Sequence, residues 1–254
     1  MIKFFRHIRQ KMIKDNKVTK YLLYAIGEIL LVVIGILIAL QINNSNEIKK
    51  SREFELKMLH EVRNELIRDT LYFNMIKKRA EVSFKGGKVM LRLYGDKETN
   101  TDTILKYGRM MSMSFQYIYH KGAYEAIKST GIDKISNDSI RFLLTDMYDF
   151  RMPRTENFIE LNKSEGLSSI EVMRLLTNLN VIKLPDGVSV PSITAKKLIP
   201  ANPKVLGLIY YKTSSSSENI NRLDDLINAC KRFLRVLDLE LKIEGGLASI
   251  PKKD

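Results

Sequence analysis

Apolar and polar positions change rhythm several times along the chain. The first rhythm is an unbroken one. Tyr21 to Ile42 is 22 residues with no Lys or Arg and a single acid, Glu28. As a helix this run reaches about 33 Å, enough to cross a hydrocarbon core of about 30 Å. A secretory signal has a shorter apolar region, about 7–15 residues, and a small-residue cleavage site. The run ends in "IALQINNSN" without such a site, so the expectation is an uncleaved membrane anchor. From Glu47 the rhythm becomes helical and one-sided. Leu59, Leu66, Phe73 and Ala80 are spaced by seven, with Val62 and Ile76 in companion positions and Asp69 and Ser83 interrupting them. Steps of three and four predict a long helix with one buried stripe. Gly86-Gly87 is the expected break, after which the stripe resumes at Met90, Leu91 and Leu93 and "YGDKETNTDT" (94–103) forms a loop.

Shorter helical patterns follow. One begins near Thr103. "KGAYEAIKSTG" (121–131) ends at Gly131, a C-terminal cap glycine, and "SNDSIRFLLTDMYDF" (136–150) opens on Asn137 or Asp138 as N-cap. Pro153 marks a kink or break, and helix returns over 156–179, with room for a second break at Gly166 and Ser168. Residues 181–203 contain four prolines and a Pro185-Asp186-Gly187 turn; a short β-hairpin across "VIKL" and "VSVPSI" or a covering flap fits there. Asn202-Pro203 has the pattern of N-cap plus first helical residue. A last long helix carries Ile220, Leu223, Ile227, Leu234, Leu237 and Leu241 on one stripe, with near-continuity through "SSSS" (214–217) favoured over a turn. The tail from Gly245 is expected to be frayed. The predicted fold class is all-α. It comprises a basic amphipathic segment (1–20), a membrane helix (21–42), a helical bundle (43–244) whose first and last helices pack antiparallel, and a flexible tail (245–254).

Charge orients this plan. The whole chain carries a formal +13. Residues 1–20 hold seven Lys/Arg and one acid, Asp15, so +6 of that lies in the first twenty residues. Beyond the apolar run, Lys49, Lys50, Arg52 and Lys57 are mixed with Glu47, Glu53 and Glu55. The positive-inside bias therefore puts residues 1–20 in the cytoplasm and residues 43–254 outside; in a Gram-negative cell that outside is the periplasm and the anchor sits in the inner membrane. Ile2, Phe5, Ile8 and Met12 recur at helical steps between the cations, a pattern suited to anionic lipid headgroups. No nucleic-acid-binding motif accompanies the basic segment.

Glu28, Gly35 and Ala39 fall within about 40° of one another on a helix. Gly35 and Ala39 form a small-xxx-small pair that lets two membrane helices approach closely. Either this is a helix-packing face with Glu28 protonated or bonded across it, or Glu28 lies shallow and snorkels to the interface.

The membrane run "KYLLYAIGEILLVVIGILIALQINN", together with "GAYEAIKSTG…ISNDSIRFLLTDMYD", resembles an uncharacterised bacterial family of single-pass membrane proteins, a domain-of-unknown-function group. The resemblance implies a basic start, a membrane helix containing Gly-Glu and a helical extracytoplasmic region. It brings no activity and no catalytic residues. Such members carry Trp in "QINNWNE"; here Ser45 stands in its place, which removes an interfacial anchor.

Candidate chemistry is sparse. Cys230 is the single cysteine, which excludes an intrachain disulfide and reads as core. His7, His60 and His120 have no metal-ligand spacing, and neither phosphate-loop nor nucleophile motifs occur. Met110, Met111 and Met113 read as packing, and Asp224-Asp225 as a solvated face. The densest polar cluster is His120, Tyr124, Glu125, Lys128, Asn137, Asp138 and Arg141. It is either a pocket or partner face, or a helical corner whose caps and ion pairs account for these residue types. The leading expectation is a non-enzymatic envelope scaffold or interaction module, self-associating or serving a membrane complex, with no cofactor, metal or nucleic acid. A small-ligand sensory module working through a membrane partner is the alternative, and an enzyme without a recognisable motif stands third.

Overall fold

The structure is a computed structural model that describes residues 18–95, 100–164, 174, 177–195 and 203–242. The fold is mostly helical, with one small antiparallel sheet. The basic segment before Val18, the tail after Lys242, Gly166, Ser168 and Asn202 lie outside the described residues. The chain divides into two compact units, 1–55 and 56–254.

Helix α1 spans Val18–Arg92. In the first unit it is apolar and uncovered: every large aliphatic side chain described between Leu22 and Ile42 is exposed. In the second unit its stripe is buried. Leu59, Val62, Leu66, Phe73, Ile76 and Ala80 are all at most 2% exposed. The two series of sevens run further than the apolar residues alone suggest. Asp69 and Ser83 occupy the buried positions they interrupt, Gly87 continues the series after Ala80, and Met90 continues the other.

Gly86 and Gly87 do not break α1. They sit where α1 meets two other helices. α2, Thr101–Met111, crosses at Gly86, where a Cβ would collide with the Met111 backbone nitrogen and lie 2.8 Å from the Tyr107 carbonyl. α6, Pro203–Glu240, crosses at Gly87, where a Cβ would collide with the Thr213 hydroxyl. The missing side chains admit the neighbours, and that packing outweighs the low helix propensity of glycine.

α6 is one uninterrupted helix through Ser214–Ser217. It packs antiparallel to α1. Arg63 pairs with Asp238, Lys77 with Asp224 and Ser83 with Ser216, so rising numbers on one helix meet falling numbers on the other. The main core lies along this pair, with Leu223, Ile227, Cys230, Phe233, Leu234 and Leu237 opposite the α1 stripe. A smaller core gathers Met90, Ile104, Met111, Val205 and Ile209. Met111 is therefore packing as expected, whereas Met113 is exposed.

The middle of the chain closes the bundle. α3 spans Gly122–Thr130 and ends at Gly131, whose φ of 110° suits only glycine well. A 3₁₀ turn (Ile132–Lys134) leads to α4, Asp138–Thr145, with Asn137 as N-cap. A π turn over Asp146–Arg151 then runs into α5, Met152–Ser164. Pro153 thus does not break the helix. Its ring would press on the carbonyl four residues back, and the widened turn just before it relieves that contact while keeping the chain helical.

Strand β1 (Thr177–Lys183) pairs antiparallel with β2 (Ser189–Ala195), with Val181 opposite Pro191. The hairpin expected here forms, but β1 takes in residues 177–179, which the apolar pattern places in a helix. Gly187, at φ 85°, makes the turn, and a ribbon that is all edge accommodates Pro191.

Candidate functional site

Six of the seven polar residues singled out between 120 and 141 divide among three sets of contacts, and Glu125 stands apart from them. At the first, two carboxylates of α1 reach the start of α3. Lys121 caps α3 without a side-chain hydrogen bond. Instead the backbone N–H of His120 donates to Asp69 at 3.0 and 3.3 Å, and that of Ala123 donates to Glu65 at 3.3 and 3.4 Å. Negative groups suit the positive end of a helix, and here they come from a distant segment. The His120 ring closes on Asp69 through Nδ1 at 2.6 Å. Burial raises the Asp69 carboxyl above its ordinary pKa, and the bonds from His120 pull it only part of the way back. Burial raises Glu65 likewise, opposed by the Ala123 N–H.

At the second, Tyr124 donates its hydroxyl to Asp149 at 2.7 Å, and Lys128 reaches the same carboxylate at 3.0 Å. These two donors lower the Asp149 pKa, with the tyrosine hydroxyl the larger influence. Burial, and then the bond to Asp149, raises Tyr124. The Tyr124 ring stacks on Tyr148 at 4.8 Å. At the third, Asn137 caps α4 by accepting from Ser139 and Ile140 and donates to Glu240 of α6 at 2.9 Å. Asp138 pairs with Arg141, which also donates to the Ile135 carbonyl at 2.8 Å. Glu125 lies apart and exposed, 3.8 Å from Lys121. Among the described residues, six of the seven side chains thus serve as caps, ion pairs or hydrogen-bond donors to neighbouring elements.

Further inside, the hydroxyls of Tyr117 and Tyr148 are buried and meet no hydrogen-bond partner among the described residues. Tyr117 stacks on Phe73 at 5.3 Å. Cys230 is fully buried, and burial pushes its thiol up to about 12. That removes it from thiolate chemistry near neutral pH. Among the described residues no three of His, Cys, Asp and Glu gather to hold a metal ion.

One cleft of ligand size lies elsewhere. It occupies about 370 Å³ between the π turn, α5 and α6, and its lining includes Phe150, Arg151, Arg154, Arg222, Asp225 and Arg232. The sequence reading missed it. Arg222, Asp225 and Arg232 do share one face of α6, but they meet Arg151 and Arg154 only when α6 folds back on a segment some seventy residues earlier.

In the first unit, Glu28, Gly35 and Ala39 all lie on α1. Gly35 is open, with no atom within 4 Å of where a Cβ would stand. Glu28 is half-buried, and Ala39 is exposed. α1 is the single described helix long and apolar enough to cross a membrane, judged by length and composition.

The model of a family of unknown function, DUF6090, matches residues 28–180, more than half of the chain. The chain belongs to this family. The DUF6090 match starts at Glu28 of α1 and ends within β1, so it takes in the α1 stripe, the Asp69–His120 contact and the π turn. α6, with Arg222 and Arg232, lies beyond it. No curated protein and no solved structure matches the chain.

Proposed function

We propose that this DUF6090 chain is a non-enzymatic, bitopic inner-membrane protein. Its first residues lie in the cytoplasm against anionic headgroups, and its helical domain in the periplasm acts as an interaction or scaffold module of the envelope. One observation carries the membrane part. Fourteen large aliphatic side chains between Leu22 and Ile42 are exposed. Full exposure costs about 1.5–3 kcal/mol for each; at the 44–74% exposure seen here their sum is on the order of 10–25 kcal/mol, as large as the whole stability of an ordinary domain, about 5–15 kcal/mol. A lipid covering removes that cost. The scaffold part is supported by what the clustered polar side chains do. Asp69, Glu65, Asp149 and Asn137 bind helix ends and neighbouring helices, which makes a fixed body rather than a reactive cleft. The orientation rests on the cation bias around the anchor. An alkaline phosphatase fused after Asp254 tests it: activity in intact cells is expected, and an inactive fusion of normal abundance would overturn the orientation.

A further inference from the structure

We propose that the cleft between α5 and α6 binds a phosphate ester carried on a hydroxylated body. Four arginines line it against one acid, Asp225. Arg151 is engaged by Asp146. Arg154, Arg222 and Arg232 form no ion pair with any carboxylate among the described residues. Arg154 and Arg232 are exposed and Arg222 half-buried, so water screens their repulsion and leaves their N–H donors accessible; a planar fork of such donors is what recognises oxyanions.

Two of the three are held in place by rings. Arg154 lies over Phe150 at 5.4 Å and Arg222 over Phe158 at 4.5 Å. Contact with a ring face restrains the fork and leaves its N–H edges for a ligand. The π turn supplies Phe150 and Arg151, and such turns recur at functional sites. The volume, about 370 Å³, lies within the range of about 300–1,000 Å³ seen for small-ligand sites.

The donor count selects phosphate over carboxylate. A single carboxylate is satisfied by one bidentate arginine, whereas a phosphate monoester offers three oxygens and a charge of about −1.5 to −2. Asp225 repels a second anionic group and accepts only from a donor such as a hydroxyl, and Asn228 on the same wall both donates and accepts. Free glycerol 3-phosphate, a monoester with two hydroxyls, has this chemistry, whereas a phosphodiester headgroup offers two free oxygens and a single charge.

The test uses the full chain in phosphatidylcholine nanodiscs, titrated with glycerol 3-phosphate by calorimetry at fixed ionic strength. Saturable binding is expected. Arg154→Gln, Arg222→Gln and Arg232→Gln should each weaken it by about tenfold or more, the size of a lost charged hydrogen bond. Arg235→Gln, which removes an exposed charge of α6 outside the cleft lining, should leave it within about twofold. Arg222→Lys keeps the charge without the fork and should still weaken binding. Absence of saturable binding at millimolar concentration in phosphatidylcholine discs would overturn the proposal. Equal weakening by Arg235→Gln would overturn it too, because the attraction would then be diffuse.

Discussion

A methyl group at Gly87 has nowhere to go, because its place is filled by the Thr213 side chain. Thr213 is itself buried and donates to the Ile209 carbonyl at 2.6 Å, so it cannot swing aside cheaply. Gly87→Ala is expected to destabilise the domain by about 1–3 kcal/mol in urea unfolding, as overpacking does. Adding Thr213→Ala should recover part of that loss. At Asp69, burial raises the pKa of the folded state above the unfolded value of about 3.9. Between the two values the folded chain holds more protons, so stability falls as pH rises through that window. Asp69→Asn should flatten this decline when unfolding is followed from about pH 3 to about pH 7. Asp149 has the opposite sign. Its pKa is lowered by Tyr124 and Lys128, so its contribution is present above the unfolded value and is lost as pH falls through the folded one. Asp149→Asn should therefore lower the melting temperature at neutral pH, with the difference from wild type vanishing in acid.

Among the elements, α4 depends on its cap. Asn137→Ala removes the acceptor for Ser139 and Ile140 and the bond to Glu240, with an expected loss of about 0.5–2 kcal/mol measured by thermal unfolding. The membrane part of α1 offers a different test. If the open Gly35 face is where two anchors meet, Gly35→Leu and Glu28→Leu should each reduce crosslinked dimer in native membranes. Unchanged yields would remove that face from the interaction surface. The stripes of α1 and α6 were legible in the sequence because sevens and threes-and-fours persist over many turns, and local noise averages out. Gly86-Gly87 misled because glycine is costly in an isolated helix, and the packing against Tyr107, Met111 and Thr213 that reverses the balance comes from segments far along the chain. Pro153 misled for a related reason: the π turn that absorbs it has no local signature. The hairpin turn announced itself through Pro185-Asp186-Gly187. The start of β1 did not, since Thr177-Asn178-Leu179-Asn180 fits a helical run as well as a strand.

At the scale of the molecule, polar interruptions carried more information than apolar regularity. Asp69 and Ser83 looked like faults in the stripe. One anchors the start of α3, and the other donates to the Met111 carbonyl and meets Ser216. The candidate cluster at 120–141 was visible as a density of polar types. That caps and ion pairs could account for it was readable too, but the partners Asp69, Asp149 and Glu240 were not, because they lie on other elements. The arginine cleft was invisible for the same reason. The antiparallel pairing of α1 with α6 also has a consequence during synthesis. Arg63 waits 175 residues for Asp238, and Lys77 waits 147 for Asp224. At about 5–20 residues per second, the part of the early helix that α6 covers waits roughly seven to thirty-five seconds for its partner to be made. A nascent chain in that interval needs a holder, and the ribosome-bound intermediate is the form most exposed to aggregation and proteolysis.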